Sequence, residues 1–225
     1  MIFLSRLNIF VGHYGSGKTE VSLNYAMELK KQGKDVIIVD LDIVNAFYRT
    51  KDAEKILNEA GIEVITPQYA NTNVDIPALP ADIFKIFTDK SKTIVIDVGG
   101  DDDGAVALGR FFGYISQEDY KLNLVVNTKR PLTDTKENII LMLRDIESCS
   151  RLKVNGIINN SNLSYDTTTA LISEGEKTVK AAADELGVEF VFTAVKEELY
   201  DEYLKLTDAK VFPLKKYLKM PWQIQ

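Results

Sequence analysis

The chain has 225 residues, of which 45% are hydrophobic and 27% charged, proportions ordinary for a globular protein and enough for one large domain with a substantial core. Acidic side chains outnumber basic ones 33 to 27, for a net charge of −6, which disfavours nucleic acid as the main partner. Cys149 is the only cysteine, which excludes an intrachain disulfide and a cysteine-built iron–sulfur or zinc site and makes a reducing, cytoplasmic setting the expectation.

The first predicted strand is the apolar run 7–11, which stops where glycines begin. Residues 12–19 then read Gly-His-Tyr-Gly-Ser-Gly-Lys-Thr, a full match to G-x-x-x-x-G-K-[ST]. Apolar residues recur at helical spacing over 19–31, and Gly33 follows, so strand, loop and helix stand in the order that makes this motif a phosphate cradle. Gly12, Gly15 and Gly17 let the backbone turn so that successive N–H groups face one anion, with His13, Tyr14 and Ser16 completing the loop. The helix N-terminus adds unpaired donors and a favourable dipole. Lys18 is placed to reach the β- and γ-phosphates, and the Thr19 hydroxyl to ligate Mg²⁺. A nucleoside triphosphate is the expected ligand.

Further along, apolar runs alternate with helical patterns. Strands are predicted over 35–40, 62–65, 93–98, 122–126, 154–158 and 189–192, and helices over 52–60, 81–87 and 178–186, with another opened by Asp134 and Glu137 in an acidic variant of the capping box. Residues 71–80 contain two prolines and little periodicity and read as a loop. Val- and Ile-rich strands separated by helices predict one α/β domain over 1–225: a doubly wound, mainly parallel sheet of about seven strands covered on both faces. Such sheets bind ligands at the carboxyl ends of their strands. The tail 211–225, basic and aromatic, reads as a final helix or tail packed on the domain rather than a membrane-surface helix. No run approaches the length of a membrane span, and the N-terminus lacks a signal-peptide layout.

Two strand ends carry carboxylates. Asp97 closes the run 93–96 and is positioned to hold Mg²⁺ beside Thr19. Alternation puts Asp40 and Asp42 on one side of their strand end, where one could order an attacking water and the other support the metal shell. The neighbouring Asp101-Asp102-Asp103 reads as a solvated acidic turn capping the next helix, because consecutive residues rarely all face one ion.

These pieces in this order (the glycine loop, Val39-Asp40-Leu41-Asp42, Ile96-Asp97-Val98-Gly99-Gly100 and Ile157-Ile158-Asn159-Asn160) resemble the MinD/ParA/CobQ-type, SIMIBI-class P-loop ATPases over roughly residues 7–200, nearly the whole domain. The resemblance implies Asp42 as the water-activating residue and Asp97 on the Mg²⁺ side; from the residues themselves, Lys18 and Asp40 are the catalytic candidates beside Asp42. It also implies Asn160 as reader of the adenine edge, since a carboxamide can both donate to and accept from the base; without it, an asparagine capping a loop is the competing reading. ATP, with ADP as product, Mg²⁺, a nucleotide-dependent homodimer and an unidentified protein partner are the expectations that follow. A small-molecule kinase or ligase resembling dethiobiotin synthetase, with Asp42, Arg49 and 71–80 lining an acceptor site, is one alternative; a non-hydrolysing adaptor is another. One departure matters. The family's lysine after the first glycine is His13 here, an imidazole shorter than the lysine side chain, so slow intrinsic hydrolysis is expected. Neither Asn-Lys-x-Asp nor Thr-Lys-x-Asp occurs, which disfavours guanine.

Overall fold

The computed structural model describes residues 5–42, 51–66, 81–100 and 102–217, with backbone alone for 51–54, 81, 82, 102 and 103. In chain order the elements are β1 (Leu7–Val11), α1 (Lys18–Lys31), β2 (Val36–Leu41), α2 (Lys51–Glu59), β3 (Glu63–Ile65), a 3₁₀ turn (Ala81–Phe84) and α3 (Lys85–Thr88). Then come β4 (Thr93–Val98), α4 (Asp102–Gly109), α5 (Phe112–Ile115), β5 (Tyr120–Val126), α6 (Lys136–Ser150) and β6 (Gly156–Asn159). The chain continues through α7 (Thr169–Leu186), β7 (Glu189–Lys196), α8 (Glu197–Tyr203) and β8 (Val211–Leu214).

The strands form one 8-stranded sheet in the order β3-β2-β4-β1-β5-β6-β7-β8. Every pairing is parallel, so each connection must cross a face of the sheet, and helices cover both faces. On one face Leu7, Ile9 and Val11 of β1 pack with Ile94, Ile96, Leu122 and Leu124 under Leu108 of α4, Ile139 and Leu143 of α6 and Val179 of α7. On the other, Phe10, Ile38, Val95 and Val125 lie beneath Val21, Leu23, Ala26 and Leu29 of α1 and Leu57 of α2. Burying each such side chain contributes about 2 kcal/mol. This is the doubly wound α/β architecture. β1 sits at its centre, where the order of connection reverses and a crevice opens at the strands' carboxyl ends.

The structure departs from expectation at several places, the short α5 among them. Residues 211–225 were expected as a final helix or tail packed on the domain, but Val211–Leu214 is β8, the edge strand, where Pro213 is tolerated because an edge strand need not donate on its outer side. Residues after β8 do pack on the domain: Asn24 of α1 donates to the Lys215 carbonyl and accepts from its N–H, both at 2.8 Å. Residues 218–225 lie outside the described residues, as do Arg49, Asp101 and the expected loop 71–80. The cap of α6 is Thr135, whose hydroxyl accepts from the Asn138 N–H, while Asp134 binds the Asn138 side chain. Finally, α7 begins at Thr169, with Thr168 as its cap, and α8 was not foreseen. Among the described residues no helix is long and apolar enough to cross a membrane.

Candidate functional site

The three carboxylates and the glycine loop meet because of register. Phe10 of β1, Asp97 of β4 and Asp40 of β2 are in line across adjacent strands, so their side chains share the face on which α1 packs. Asp40 and Asp97 therefore stand side by side beneath the N-terminus of α1, where Lys18 and Thr19 begin the helix. Lys18 is 5% exposed, and its Nζ lies 3.7 Å from Asp42 Oδ2. Asp40 Oδ1 accepts the Asp42 N–H at 2.8 Å, a turn-forming bond that fixes the direction in which Asp42 leaves β2.

Asp97 is 1% exposed. Burial is the main cause pushing its carboxyl up to about 7; Lys18 opposes the rise, Asp40 adds to it, a hydrogen bond with Thr19 opposes it and Asp42 adds to it. Its Oδ1 is buried with no hydrogen-bond partner. A buried carboxylate oxygen without a partner, beside a threonine hydroxyl, fits an oxygen-loving divalent cation. Among the described residues no three His, Cys, Asp or Glu side chains converge to hold a metal by themselves.

The loop is shaped by glycine geometry and held from outside. Gly17 caps α1 in the left-handed conformation, at φ 82°, where an L side chain is strained. After β4, Gly100 approaches so closely that an added Cβ would meet the Tyr14 N at 2.7 Å. Ser16 donates its N–H to the His13 carbonyl at 3.0 Å, closing a turn inside the loop. The His13 ring meets the Tyr14 carbonyl through Nδ1 at 2.9 Å; a carbonyl only accepts, so Nδ1 carries the hydrogen there and Nε2 is the remaining site.

The structure thus brings Lys18, Thr19, Asp40, Asp42 and Asp97 together under the loop. Asn160 arrives too, at the end of β6, but against the backbone: it is buried and its Nδ2 donates to the Ser16 carbonyl at 2.7 Å. The sequence reading passed over Arg130, whose Nε donates to the Gly15 carbonyl at 3.2 Å. Its position just past β5, the strand beside β1, is the signal that could have found it, since such turns border the crevice.

No family model matches the chain, and no curated protein matches it. Solved structures do. The cell division protein FtsY from Thermotoga maritima superposes with a TM-score of 0.57 at 19% identity, over 84% of this chain and 61% of that one. The 54 kDa signal recognition particle protein from Aeropyrum pernix, in complex with GDP, gives 0.55 at 18% identity, over 83% of this chain and 40% of that one. A nucleotide-binding protein from Archaeoglobus fulgidus in complex with ADP gives 0.54 at 17% identity, over 90% of this chain and 86% of that one. This chain thus spans under two thirds of FtsY and most of the ADP-binding protein. The likeness is one of fold: a doubly wound, parallel α/β sheet with the glycine loop at the end of its central strand.

Proposed function

We propose that this chain is a Mg²⁺-dependent ATP-binding switch of the MinD/ParA kind, which hydrolyses ATP slowly to ADP and phosphate. The observation that carries the reading is the buried meeting of Lys18, Thr19, Asp42 and Asp97 at the N-terminus of α1, with Asp97 Oδ1 lacking a partner. Gly12 to Thr19 would cradle the phosphates with backbone N–H groups. In this structure the Lys18 ammonium faces Asp42; an arriving phosphate would draw it away, because a polyanion outcompetes one carboxylate for a buried cation. Asp42 is then released to orient water, with Asp40 fixing its backbone. Thr19 and Asp97 would hold Mg²⁺, which when bound supplies the positive charge that neutralises the β- and γ-phosphates.

Adenine is the proposed base. Asn160 uses one amide hydrogen on Ser16, and its second hydrogen and its oxygen can serve the base edge. The strand-end turns Asn127-Thr128-Lys129-Arg130 and Asn159-Asn160-Ser161-Asn162 contain no carboxylate to accept guanine's two N–H groups. The output is proposed to be nucleotide-dependent pairing of two copies or contact with a protein partner, in the cytoplasm, where the free thiol of Cys149 stays reduced. Displacement of a fluorescent ATP analogue by ATP and by GTP tests the reading. ATP should displace at the lower concentration, and equal or better displacement by GTP would reject the base assignment.

A further inference from the structure

Resting on that nucleotide reading, the structure points to a residue it does not include. Two consecutive carbonyls of the glycine loop are held from outside by side chains of neighbouring strand ends. Arg130 Nε binds the Gly15 carbonyl at 3.2 Å and Asn160 Nδ2 binds the Ser16 carbonyl at 2.7 Å. In a trans peptide the C=O and the following N–H point in opposite directions. Holding the Ser16 oxygen outward therefore turns the Gly17 N–H toward the loop's interior, where an anion would sit, while the Ser16 N–H after the Gly15 carbonyl closes the turn onto the His13 carbonyl at 3.0 Å. The guanidinium also lies against the loop itself: a Cβ on Gly15 would meet Arg130 Nε at 2.9 Å and Cζ at 3.1 Å.

Arg130 is held for this task by its own turn. Its N–H donates to the Asn127 carbonyl at 3.1 Å, its carbonyl accepts the Thr133 N–H at 3.0 Å, and the Thr133 hydroxyl donates to the Asn127 carbonyl at 2.8 Å. Charge makes the position useful. Lys18 faces Asp42, and Asp40 and Asp97 are buried beside it, so the protein presents more negative than positive charge to a polyphosphate there. The next cation along the turn, Lys129, is engaged with Glu174 at 2.8 Å. Arg130 contacts the loop directly, through the Gly15 carbonyl. Where the resembling ATPases have lysine, this chain has His13.

We propose that Arg130 is the second phosphate-side cation of this loop: its Nε fixes the Gly15 peptide, and its Nη groups bind the oxygens of the nucleotide's polyphosphate. Guanidinium groups suit this because their fork of donors matches phosphate and their charge is permanent.

The test is binding of MgATP to the full chain at several salt concentrations for the parent, Arg130→Gln, Arg130→Lys and, as a reference, Lys18→Ala. Arg130→Gln should bind about ten- to hundredfold more weakly and show a flatter dependence on salt, because one screened charge contact is gone. Arg130→Lys should recover the salt dependence and part of the affinity, and thermal unfolding should be unchanged in both. Parental affinity and salt dependence in Arg130→Gln, with binding lost in Lys18→Ala, would overturn the role of Arg130 and leave the nucleotide reading standing. Equal weakening in both arginine variants with a parental salt dependence would show a scaffold and no phosphate contact, and would also overturn it. A parent that binds neither MgATP nor MgGTP would remove the nucleotide reading itself, and this role with it.

Discussion

Asp97→Asn should stabilise the ligand-free protein at the same time as it disables the proposed Mg²⁺ site. Burial pushes the Asp97 carboxyl from 3.8 up to about 7. Its folded value lies above its unfolded one, so the folded state holds the proton more tightly and is favoured at low pH. Stability therefore falls as pH rises from about 4 to about 7 and is level beyond that. A rise of about three units corresponds to an upper figure of about 4 kcal/mol, and water entering around the ionised group lowers it. Asparagine keeps the shape, carries no charge and can offer its amide hydrogens to neighbouring Asp40. We expect the variant to gain about 2 kcal/mol at pH 8, or roughly 4–8 °C in Tm for a chain of this size, and almost nothing at pH 4.5. The assay is thermal unfolding at both pH values in EDTA, so that no divalent cation offsets the charge. A variant less stable than the parent at pH 8, or a gain equal at both pH values, would refute the account of a desolvated carboxylate awaiting a cation.

Other outcomes follow from the same geometry. Asp42→Asn keeps the shape near Lys18 but not the charge, so MgATP affinity should persist while turnover falls at least tenfold; parental turnover would remove Asp42 from the chemistry. Gly17→Ala should cost about 2 kcal/mol of stability, since φ is 82° and the new Cβ would lie 2.3 Å from Asn160 Nδ2, combining left-handed strain with a lost hydrogen bond; denaturant unfolding reads this. Turnover by the purified parent should be slow and rise in His13→Lys, and brisk parental turnover that survives His13→Ala would show that the missing lysine is immaterial. Glu176→Ala should cost about 3 kcal/mol by urea unfolding. That buried carboxylate accepts from Thr193, Tyr203, Thr207 and Lys180 at 2.6–2.9 Å. Burial pushes its carboxyl up, but those four bonds outweigh it and hold it below the usual range, so its contribution is lost only as pH falls through that lowered value.

What could be read in advance was whatever depends on local chemistry. The glycine loop was legible because left-handed φ values at Gly15 and Gly17 leave few other residues, and the inner strands because parallel strands covered on both faces must be apolar throughout. β8 was not, since Pro213 argues against a strand until its edge position is known. The start of α7 lies nine residues before the expected 178, where the Thr168 hydroxyl accepts from the Leu171 N–H, a cap that shows only in three dimensions. Asp40, Asp42, Asp97, Lys18 and Thr19 were recognisable as types at strand and helix ends, and sheet register then brought them together. The particular contacts of Arg130 and Glu176 were hidden for a different reason. Their partners are 115 residues away for Gly15 and 17 to 31 away for the Glu176 hydroxyl donors, and no periodicity links positions so separated.

The central claim is that the loop from Gly12 to Thr19 binds a nucleoside triphosphate through Lys18. Calorimetric titration of MgATP into the parent and Lys18→Ala, with circular dichroism confirming both folds, tests it most directly. The account predicts saturable binding to one site per chain in the parent and none in the variant. Equal affinity in the two, or no heat from MgATP or MgGTP in a folded parent, would contradict it.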